Sequence, residues 1–221
     1  MRLLAGQYRG GLCVIYWNNN AFYMFEIVFA TNNAHKLEEL RRIVGDSLRV
    51  RSLAEIGCHD DIPETADTLE GNAAIKALWV KEKYGYDCFA DDTGLEVDAL
   101  DGAPGVMSAR YAGPGHDSVA NMRLLLERMD GVVDRSARFR TVIALAMGDD
   151  MSVELMDGTV EGRITTEPMG TSGFGYDPVF APVGCGGLTF AQMDADAKNA
   201  ISHRGRATAR LVERLKELYK L

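Results

Sequence analysis

A short apolar run followed by an amphipathic helix pattern, over residues 25–45, restricts the fold of this chain more than any other feature. Residues 25–30 (FEIVFA) are mostly apolar, which is typical of a buried strand. Residues 31–33 (TNN) favour a turn and a helix N-cap. Apolar side chains then recur at helical spacing, at Leu37, Leu40 and Val44. This stretch therefore predicts a strand–loop–helix unit that Gly45 ends.

Strand and helix patterns alternate along much of the remaining sequence. Thr68 is a suitable N-cap for a helix that Gly85 would end, and residues 88–90 predict a strand that stays extended to Val97. The further predicted elements are a helix at 118–131, a strand at 139–147, its hairpin partner at 152–156 and a helix at 207–219. This alternation with one hairpin predicts an α/β fold on a mixed sheet.

Composition and charge exclude several classes of function. The 221 residues include 24 Lys plus Arg and 32 Asp plus Glu, so the net charge is −8. An acidic chain is poorly suited to bind nucleic acid non-specifically, and its apolar runs fall far short of the roughly 20 residues that span a bilayer. The four cysteines lack C-x-x-C spacing and are scattered, as in reducing compartments. We therefore expect a cytoplasmic protein with no nucleic-acid or membrane partner.

Residues 1–23 differ from the rest of the sequence. They faintly resemble a signal peptide, but residues 6–11 (GQYRGG) interrupt the apolar stretch and no cleavage site follows. Met24 stands directly before the predicted strand. Residues 1–23 are therefore interpreted as an extension of unknown role and residues 24–221 as a single α/β domain. The alternative is that residues 12–17 form an N-terminal strand.

Two segments of the first half have features of a phosphate and metal site. Residues 31–36 precede a helix, whose N-terminal N–H groups and dipole favour anions, and Lys36 adds a positive charge. Glu64, Asp91 and Asp92 are hard oxygen donors of the kind that Mg²⁺ prefers. Because neighbouring residues of a strand face opposite ways, Asp91 and Asp92 are expected to have different roles. A plain helix cap and a turn with solvated acids are the simpler interpretations of these segments taken alone.

Two segments of the second half combine aromatic rings with cations. Residues 171–178 (TSGFGYDP) place glycines beside Phe174 and Tyr176, either of which is suited to stack on a flat base. Lys198 and residues 202–205 (SHRG) concentrate hydrogen-bond donors before the last predicted helix. An ordinary turn with a core aromatic and a solvated helix start are the alternatives. Taken together, the four segments supply the parts that a nucleotide site needs.

At this level of detail the sequence resembles the inosine triphosphate pyrophosphatases, a family that removes non-standard purine nucleotides. The resemblance covers about residues 24–220. Its motifs are FATNNAHKLEEL, IPET, LEGNAAIKA, ADDTGLEVDALDGAPGVMSARYAG, SGFGYDPVF and AISHRGRA. Their number and order make the resemblance highly specific.

The resemblance implies a role for each matching residue. Asp92 matches the catalytic aspartate, and Glu64 and Asp92, with Asp91, match the metal-binding acids, for which Mg²⁺ is the expected cofactor. The matching substrate-binding residues are Thr31, Asn32, Asn33, Ala34, His35, Lys36, Asn72, Lys76, Thr93, Phe174, Gly175, Tyr176, Asp177, Lys198, His203 and Arg204. The implied fold is an elongated mixed sheet with flanking helices, in two lobes around a nucleotide-binding cleft, and a homodimer is expected.

The implied reaction converts ITP, dITP or XTP and water to the monophosphate and pyrophosphate. Lys198 and Arg204 are donors only, so they suit the 6-oxo group of a deaminated purine and oppose the amino group of adenine. Two other functions remain open at this stage. One is a Maf-type pyrophosphatase acting on pyrimidine or modified nucleotides, and the other is a nucleotide sensor without catalysis.

Overall fold

The fold is a mixed β-sheet with helices on both of its faces, in a computed structural model that describes residues 11–17, 20–45 and 48–219. The strands are β1 (Gly11–Trp17), β2 (Asn20–Phe29), β3 (Arg49–Arg51), β4 (Cys88–Val97), β5 (Pro104–Gly105), β6 (Ser136–Ala146), β7 (Glu154–Ile164) and β8 (Phe180–Pro182). The helices are α1 (Ala34–Val44), α2 (Leu69–Tyr84), α3 (Ser118–Arg128), α4 (Ala195–Ile201) and α5 (His203–Tyr219). This architecture confirms the predicted α/β class.

The strand order is β1-β2-β4-β6-β7-β8, with β3 beside β2 and β5 beside β4. β2 runs parallel to β3 and β4, and the other pairs are antiparallel. The long β4–β6–β7 ladder forms the middle of the sheet, and Asp91 and Asp92 lie opposite Ile143 and Val142 within it. The acidic pair is therefore held on a central strand.

Local capping chemistry sets the ends of the main helices. The Asn33 side chain accepts from the Lys36 N–H at the start of α1, and the Thr68 hydroxyl accepts from the Gly71 N–H at the start of α2. Gly85 ends α2 in a left-handed conformation that glycine adopts without steric cost. The predicted bounds of α2 are therefore confirmed.

Three apolar clusters make up the core. The first packs α1 and α5 against one sheet face around Phe29, Phe89 and Leu211. The second packs α2 against residues such as Ala90 and Val142. The third packs α3 against the end of β4, the start of β6 and the segment before α4. Helices α1 and α5 contact Phe89 of β4, whereas α2 contacts its neighbours Cys88 and Ala90. Because neighbouring residues of a strand face opposite ways, α1 and α5 cover one face of the sheet and α2 covers the other.

The structure differs from the sequence-based bounds mainly near residue 24. β2 begins at Asn20, five residues before the predicted strand, and pairs with β1, so the alternative strand at residues 12–17 agrees with the structure. Met24 lies inside β2, opposite Cys13. The division of the chain into 1–23 and 24–221 remains a prediction, and residues 1–10, 18 and 19 lie outside the described part.

Pairing also extends or adds elements that the patterns missed. β7 continues to Ile164, well past the predicted residue 156, because it pairs with β6 along its length. α5 begins at His203 rather than at residue 207. Strands β3 and β8 and helix α4 were not predicted. Within the described residues, no helix is both long and apolar enough to cross a membrane.

Candidate active site

Strand β4 sends its two neighbouring aspartates to opposite sides of the sheet. Asp92 faces α2, where the Asn72 amide donates to it at 3.3 Å. Asp91 faces α1 and α5, where Lys36 donates at 2.9 Å and Arg204 lies at 3.4 Å. The strand's period of two explains this division, as the sequence predicted.

Lys76 joins the two carboxylates on the α2 side of the site. Its Nζ lies 2.6 Å from Glu64 Oε1 and 3.2 Å from Asp92 Oδ1. The other Glu64 oxygen accepts from Arg110 Nη1 at 3.3 Å. Asn72 is itself held in place because its side-chain oxygen accepts from the Ala66 N–H at 2.9 Å. The two carboxylates are therefore brought together on one cationic side chain.

The protonation equilibria of this cluster differ from residue to residue. Burial raises the pKa of Asp92 above its usual value despite the nearby Lys76 ammonium. Burial also acts to raise the pKa of Glu64, but Lys76 outweighs it and the pKa is lowered. Burial would lower the pKa of Lys76, yet the surrounding Asp92, Asp91 and Glu64 raise it. At neutral pH the Lys76 ammonium lies between the Glu64 and Asp92 carboxylates, of which Asp92 is the more basic.

Asp91 is an ion-paired residue behind the site. Burial would raise the pKa of its carboxyl, but Lys36 and then Arg204 hold it well below its usual range. Its second oxygen also accepts from the Thr93 hydroxyl at 3.2 Å. Burial lowers the pKa of Lys36, which Asp91 offsets only in part. Asp91 therefore fixes two cations and a hydroxyl that face the ligand space.

The loop before α1 is organised by its own side chains. The Asn33 N–H donates to the Thr31 hydroxyl at 3.2 Å, and the Asn33 side chain caps the helix at the Lys36 N–H, also at 3.2 Å. The His35 ring stacks on Phe174, with centroids 5.6 Å apart and planes 15° from parallel. The loop thus carries Lys36 inward and links α1 to the aromatic segment.

The turn at residues 173–177 presents Phe174 to the cavity and buries Tyr176 and Asp177. The Phe174 N–H and the Lys198 ammonium both donate to Asp177 Oδ2, at 2.7 and 2.9 Å. Gly173 has φ +77°, and a Cβ there would lie 2.1 Å from the same oxygen, so only glycine fits. Tyr176 is buried and donates to the Ser108 carbonyl at 2.9 Å. Phe174 is therefore the ring available for stacking, whereas Tyr176 is committed to the core.

Arg204 and Lys198 share a largely buried carboxylate on α1, that of Glu39. Glu39 Oε1 lies 3.5 Å from Lys198 Nζ, and Glu39 Oε2 is ion-paired with Arg204. Arg204 also donates to the Thr93 hydroxyl at 3.3 Å. Both cations lie over the Phe174 ring, at 5.1 Å for Lys198 and 5.7 Å for Arg204. The geometry thus places two fixed donors against the candidate stacking ring.

His203 opens α5 next to these cations. It is buried and stacks on Phe139 at 4.6 Å, and its Nδ1 has no hydrogen-bond partner among the described residues. Burial, reinforced by Arg204 and Lys198, holds its pKa well below the usual value, so the ring is neutral at pH 7. Gly158 of β7 permits this placement, since a Cβ there would lie 2.1 Å from the His203 carbonyl.

One cavity of about 530 Å³ joins most of these residues. The sequence-predicted site residues that line it are Thr31, Asn32, Asn33, Lys36, Glu64, Lys76, Asp92, Thr93, Phe174, Gly175, Tyr176, Asp177, Lys198, His203 and Arg204. Ala34, His35, Asn72 and Asp91 do not line it. Of these four, the last three contact residues that do. The cavity therefore unites the acidic cluster, the cations and the stacking ring in one space.

The donor set fits a hard divalent cation that takes further ligands from its substrate. Glu64 and Asp92 both contact Lys76. Burial destabilises the charged form of Asp92, and a bound cation would offset this desolvation cost. Among the residues that the structure describes, no three His, Cys, Asp or Glu side chains form a metal site by themselves. Mg²⁺ is often held by one or two carboxylates and substrate phosphates, so two carboxylates suffice.

Several residues of the site were missed by the sequence patterns. Glu39 lies in the motif FATNNAHKLEEL without an assigned role, yet its largely buried side chain lies between Lys198 and Arg204. Ser108 and Arg110 lie in the motif ADDTGLEVDALDGAPGVMSARYAG without an assigned role, and Asn121 lies on α3, and all three line the cavity. For Glu39 and Arg110 the only signal was a charged residue within a quoted motif, because their partners are distant in the sequence.

Comparison with known proteins agrees with this geometry. Residues 27–214 match the model of the Ham1 family. The chain is 55% identical over 189 residues to the dITP/XTP pyrophosphatase of Porphyromonas gingivalis, covering 85% of this chain and 96% of that protein. It is 50% identical to the Flavobacterium psychrophilum dITP/XTP pyrophosphatase, with coverages of 85% and 97%. The solved Staphylococcus aureus Ham1 protein superimposes with a TM-score of 0.79 and 39% identity, covering 87% of this chain and 99% of that one.

The fold and site thus define an α/β protein with a nucleotide-sized cavity that pairs carboxylates with cations. This chain belongs to the Ham1 family.

Proposed function

We propose that this protein hydrolyses the non-standard purine nucleotides ITP, dITP and XTP to the monophosphate and pyrophosphate. The observation that carries the proposal is the single cavity of about 530 Å³ that joins Glu64, Lys76 and Asp92 to Phe174 and Arg204. Its volume lies in the range typical of small-molecule sites. The names of relatives that are about half identical support the same substrates.

Asp92 is proposed to orient and deprotonate the attacking water. Its raised pKa makes it a better base than an ordinary aspartate at neutral pH. Lys36 and Lys76 border the same space and are proposed to hold phosphate oxygens, and Thr31–Asn33 supply the helix N-terminus.

Glu64 and Asp92 are proposed to hold Mg²⁺. When bound, the ion would neutralise the charge that develops on the departing pyrophosphate. Asp91 is left out of this site because Lys36, Arg204 and Thr93 already surround it and it does not line the cavity. Asn72 acts on the site by orienting Asp92.

Selectivity for a 6-oxo purine is proposed to come from Lys198 and Arg204. Arg204 has five N–H donors, of which Glu39, Asp91 and Thr93 occupy three. Lys198 has three donors, of which Asp177 occupies one, and Glu39 lies 3.5 Å from its ammonium as an ion pair. The free donors suit a 6-oxo acceptor and would oppose the amino group of adenine, leaving buried polar groups unpaired. Phe174 is proposed to stack on the base.

The wider context is also proposed from the residues. The described cysteines Cys58, Cys88 and Cys185 are not in disulfides, which is consistent with a cytoplasmic protein. The net charge of −8 disfavours a nucleic-acid partner. We propose a homodimer in which residues 24–221 form the catalytic domain and residues 1–23 an extension, with light scattering on the purified protein as the test of the dimer.

The activity is tested with a panel of ITP, dITP, XTP, ATP, GTP, dUTP and dTTP, with and without Mg²⁺. Products are separated to distinguish pyrophosphate from single phosphate. The proposal expects pyrophosphate from ITP, dITP and XTP, with kcat/KM far above that for ATP. Preferential turnover of dUTP or dTTP would favour a Maf-type enzyme. Tight binding of ITP with no turnover at any Mg²⁺ concentration would favour a sensor.

A further inference from the structure

The segment at residues 105–112 is held in place more firmly than a surface loop requires. The Ser108 hydroxyl accepts from the Leu95 N–H at 2.9 Å and donates to the Gly105 carbonyl at 2.6 Å. The Ser108 carbonyl accepts from the buried Tyr176 hydroxyl at 2.9 Å. These contacts tie the segment to the central strand β4 and to the aromatic turn.

Asn121 of α3 fastens the other end of this segment. Its side-chain oxygen accepts from the Ala112 N–H at 2.7 Å, and its side-chain amide donates to the Ala109 carbonyl at 3.0 Å. The Asn121 side chain is buried and both of its bonds are partly shielded from water. The backbone on both sides of Arg110 is therefore fixed, and its side chain starts from a defined position at the cavity.

Arg110 reaches from this fixed segment to the acidic cluster. Its Nη1 lies 3.3 Å from Glu64 Oε2, and no other hydrogen bond of its guanidinium is found among the described residues. Lys76 binds the other Glu64 oxygen more closely, at 2.6 Å. The remaining cavity cations have closer buried carboxylate partners, as Lys36 has in Asp91 at 2.9 Å. Among the Lys and Arg side chains that line the cavity, Arg110 thus has the longest distance to its nearest carboxylate oxygen.

We propose that Arg110 is a further substrate-binding residue, whose guanidinium binds the β- and γ-phosphates that leave as pyrophosphate. The inference rests on the proposed function. A guanidinium matches phosphate oxygens in a two-pronged arrangement. Arg110 contacts Glu64 of the acidic cluster, and among the described residues its cavity neighbours Phe174, Lys198 and Arg204 share no hydrogen bond or ion pair with it, so the phosphates near the acidic cluster are its natural partner. A divalent cation held by Glu64 would take from Arg110 the one carboxylate that it contacts among the described residues, and would leave its guanidinium free for the phosphates. Asn121 then acts as a positioning residue.

The test measures the affinity of the protein for pyrophosphate and, separately, for IMP, by calorimetry at several Mg²⁺ concentrations. Arg110→Gln is compared with Arg110→Lys, which keeps the charge. Arg123→Gln is the matched control, because Arg123 is exposed on α3 with no ion pair among the described residues. Loss of one charge-assisted hydrogen-bond partner predicts pyrophosphate binding that is weaker by about tenfold or more in Arg110→Gln. IMP binding should change by less than about twofold on the same scale, with Arg110→Lys in between and Arg123→Gln unchanged.

Three outcomes would overturn the proposal. Unchanged pyrophosphate affinity in Arg110→Gln removes the contact altogether. An equal loss for IMP and pyrophosphate indicates general damage to the site. A defect that disappears at saturating Mg²⁺ means that Arg110 only orients Glu64 toward the ion. Turnover of ITP by the unaltered protein is measured on the same sample, so a failure of the proposed function is seen independently of the Arg110 result.

Discussion

Replacing Asp177 with Asn changes the charge of a single buried carboxylate while almost keeping its shape. Asp177 Oδ2 accepts two hydrogen bonds, from the Phe174 N–H at 2.7 Å and from Lys198 Nζ at 2.9 Å. Asp177 is 3% exposed and Lys198 is 7% exposed. An Asn oxygen can still accept both bonds, so the substitution weakens them without opening a cavity.

The magnitude follows from the difference between charged and neutral hydrogen bonds. Hydrogen bonds to a charged group contribute about 1.5–3 kcal/mol and neutral ones about 0.5–1.5 kcal/mol, so the Phe174 bond, which becomes neutral, loses about 1–1.5 kcal/mol. The Lys198 bond keeps its charged donor but loses its anionic acceptor, which costs about as much again. Two features reduce this loss. Burial raises the pKa of Asp177, so some desolvation free energy is recovered when the charge is removed. Glu39 remains 3.5 Å from Lys198. We therefore expect a decrease of about 1–2 kcal/mol in the free energy of unfolding.

Urea denaturation at pH 7.5 measures this loss for Asp177→Asn. Asp130→Asn is the control, because Asp130 is exposed and its side chain has no hydrogen bond or ion pair among the described residues, and it should change stability by less than about 0.5 kcal/mol. The looser turn should also raise KM for ITP, since Phe174 and Lys198 lose their common anchor. An unchanged midpoint together with an unchanged KM would refute the claim that Asp177 holds this turn.

Three further predictions follow from the same contacts. Asp92→Asn should still bind ITP, measured by calorimetry, but lose at least about a hundredfold in kcat, and pyrophosphate release near the unaltered rate would contradict its role. Arg204→Ala should lower the ratio of kcat/KM for ITP to that for ATP, with thermal unfolding as a check of folding, and an unchanged ratio would count against base recognition. His203 has a lowered pKa in the fold, so below about pH 6.5 the unfolded chain binds a proton that the folded one does not. Stability should therefore fall as pH drops from 7.5 to 5.5, at up to about 1.4 kcal/mol per pH unit, and His203→Asn should flatten this dependence. An equal fall in both proteins would show that His203 is not the cause.

Much of the fold was predictable because its signals are local. Thr68 and Gly85 set the ends of α2 through a side-chain cap and a left-handed glycine, both of which depend only on neighbouring residues. The alternation along β4 separates Asp91 from Asp92 for a similar reason, since it follows from the geometry of any strand. The motif segments likewise contained most of the residues that line the cavity.

Other features required the tertiary structure. β3 and β8 exist because other strands, more than 10 residues away in the chain, supply their hydrogen bonds, and β2 starts early because β1, which directly precedes it, pairs with it. The role of Glu39 depends on Lys198 and Arg204, which are more than 150 residues away in the chain. Sequence patterns thus determine where polar residues can be placed on an element, whereas only packing decides which charges share a buried space. Burial then sets their pKa values, because the cost of removing a charge from water depends on every partner around it.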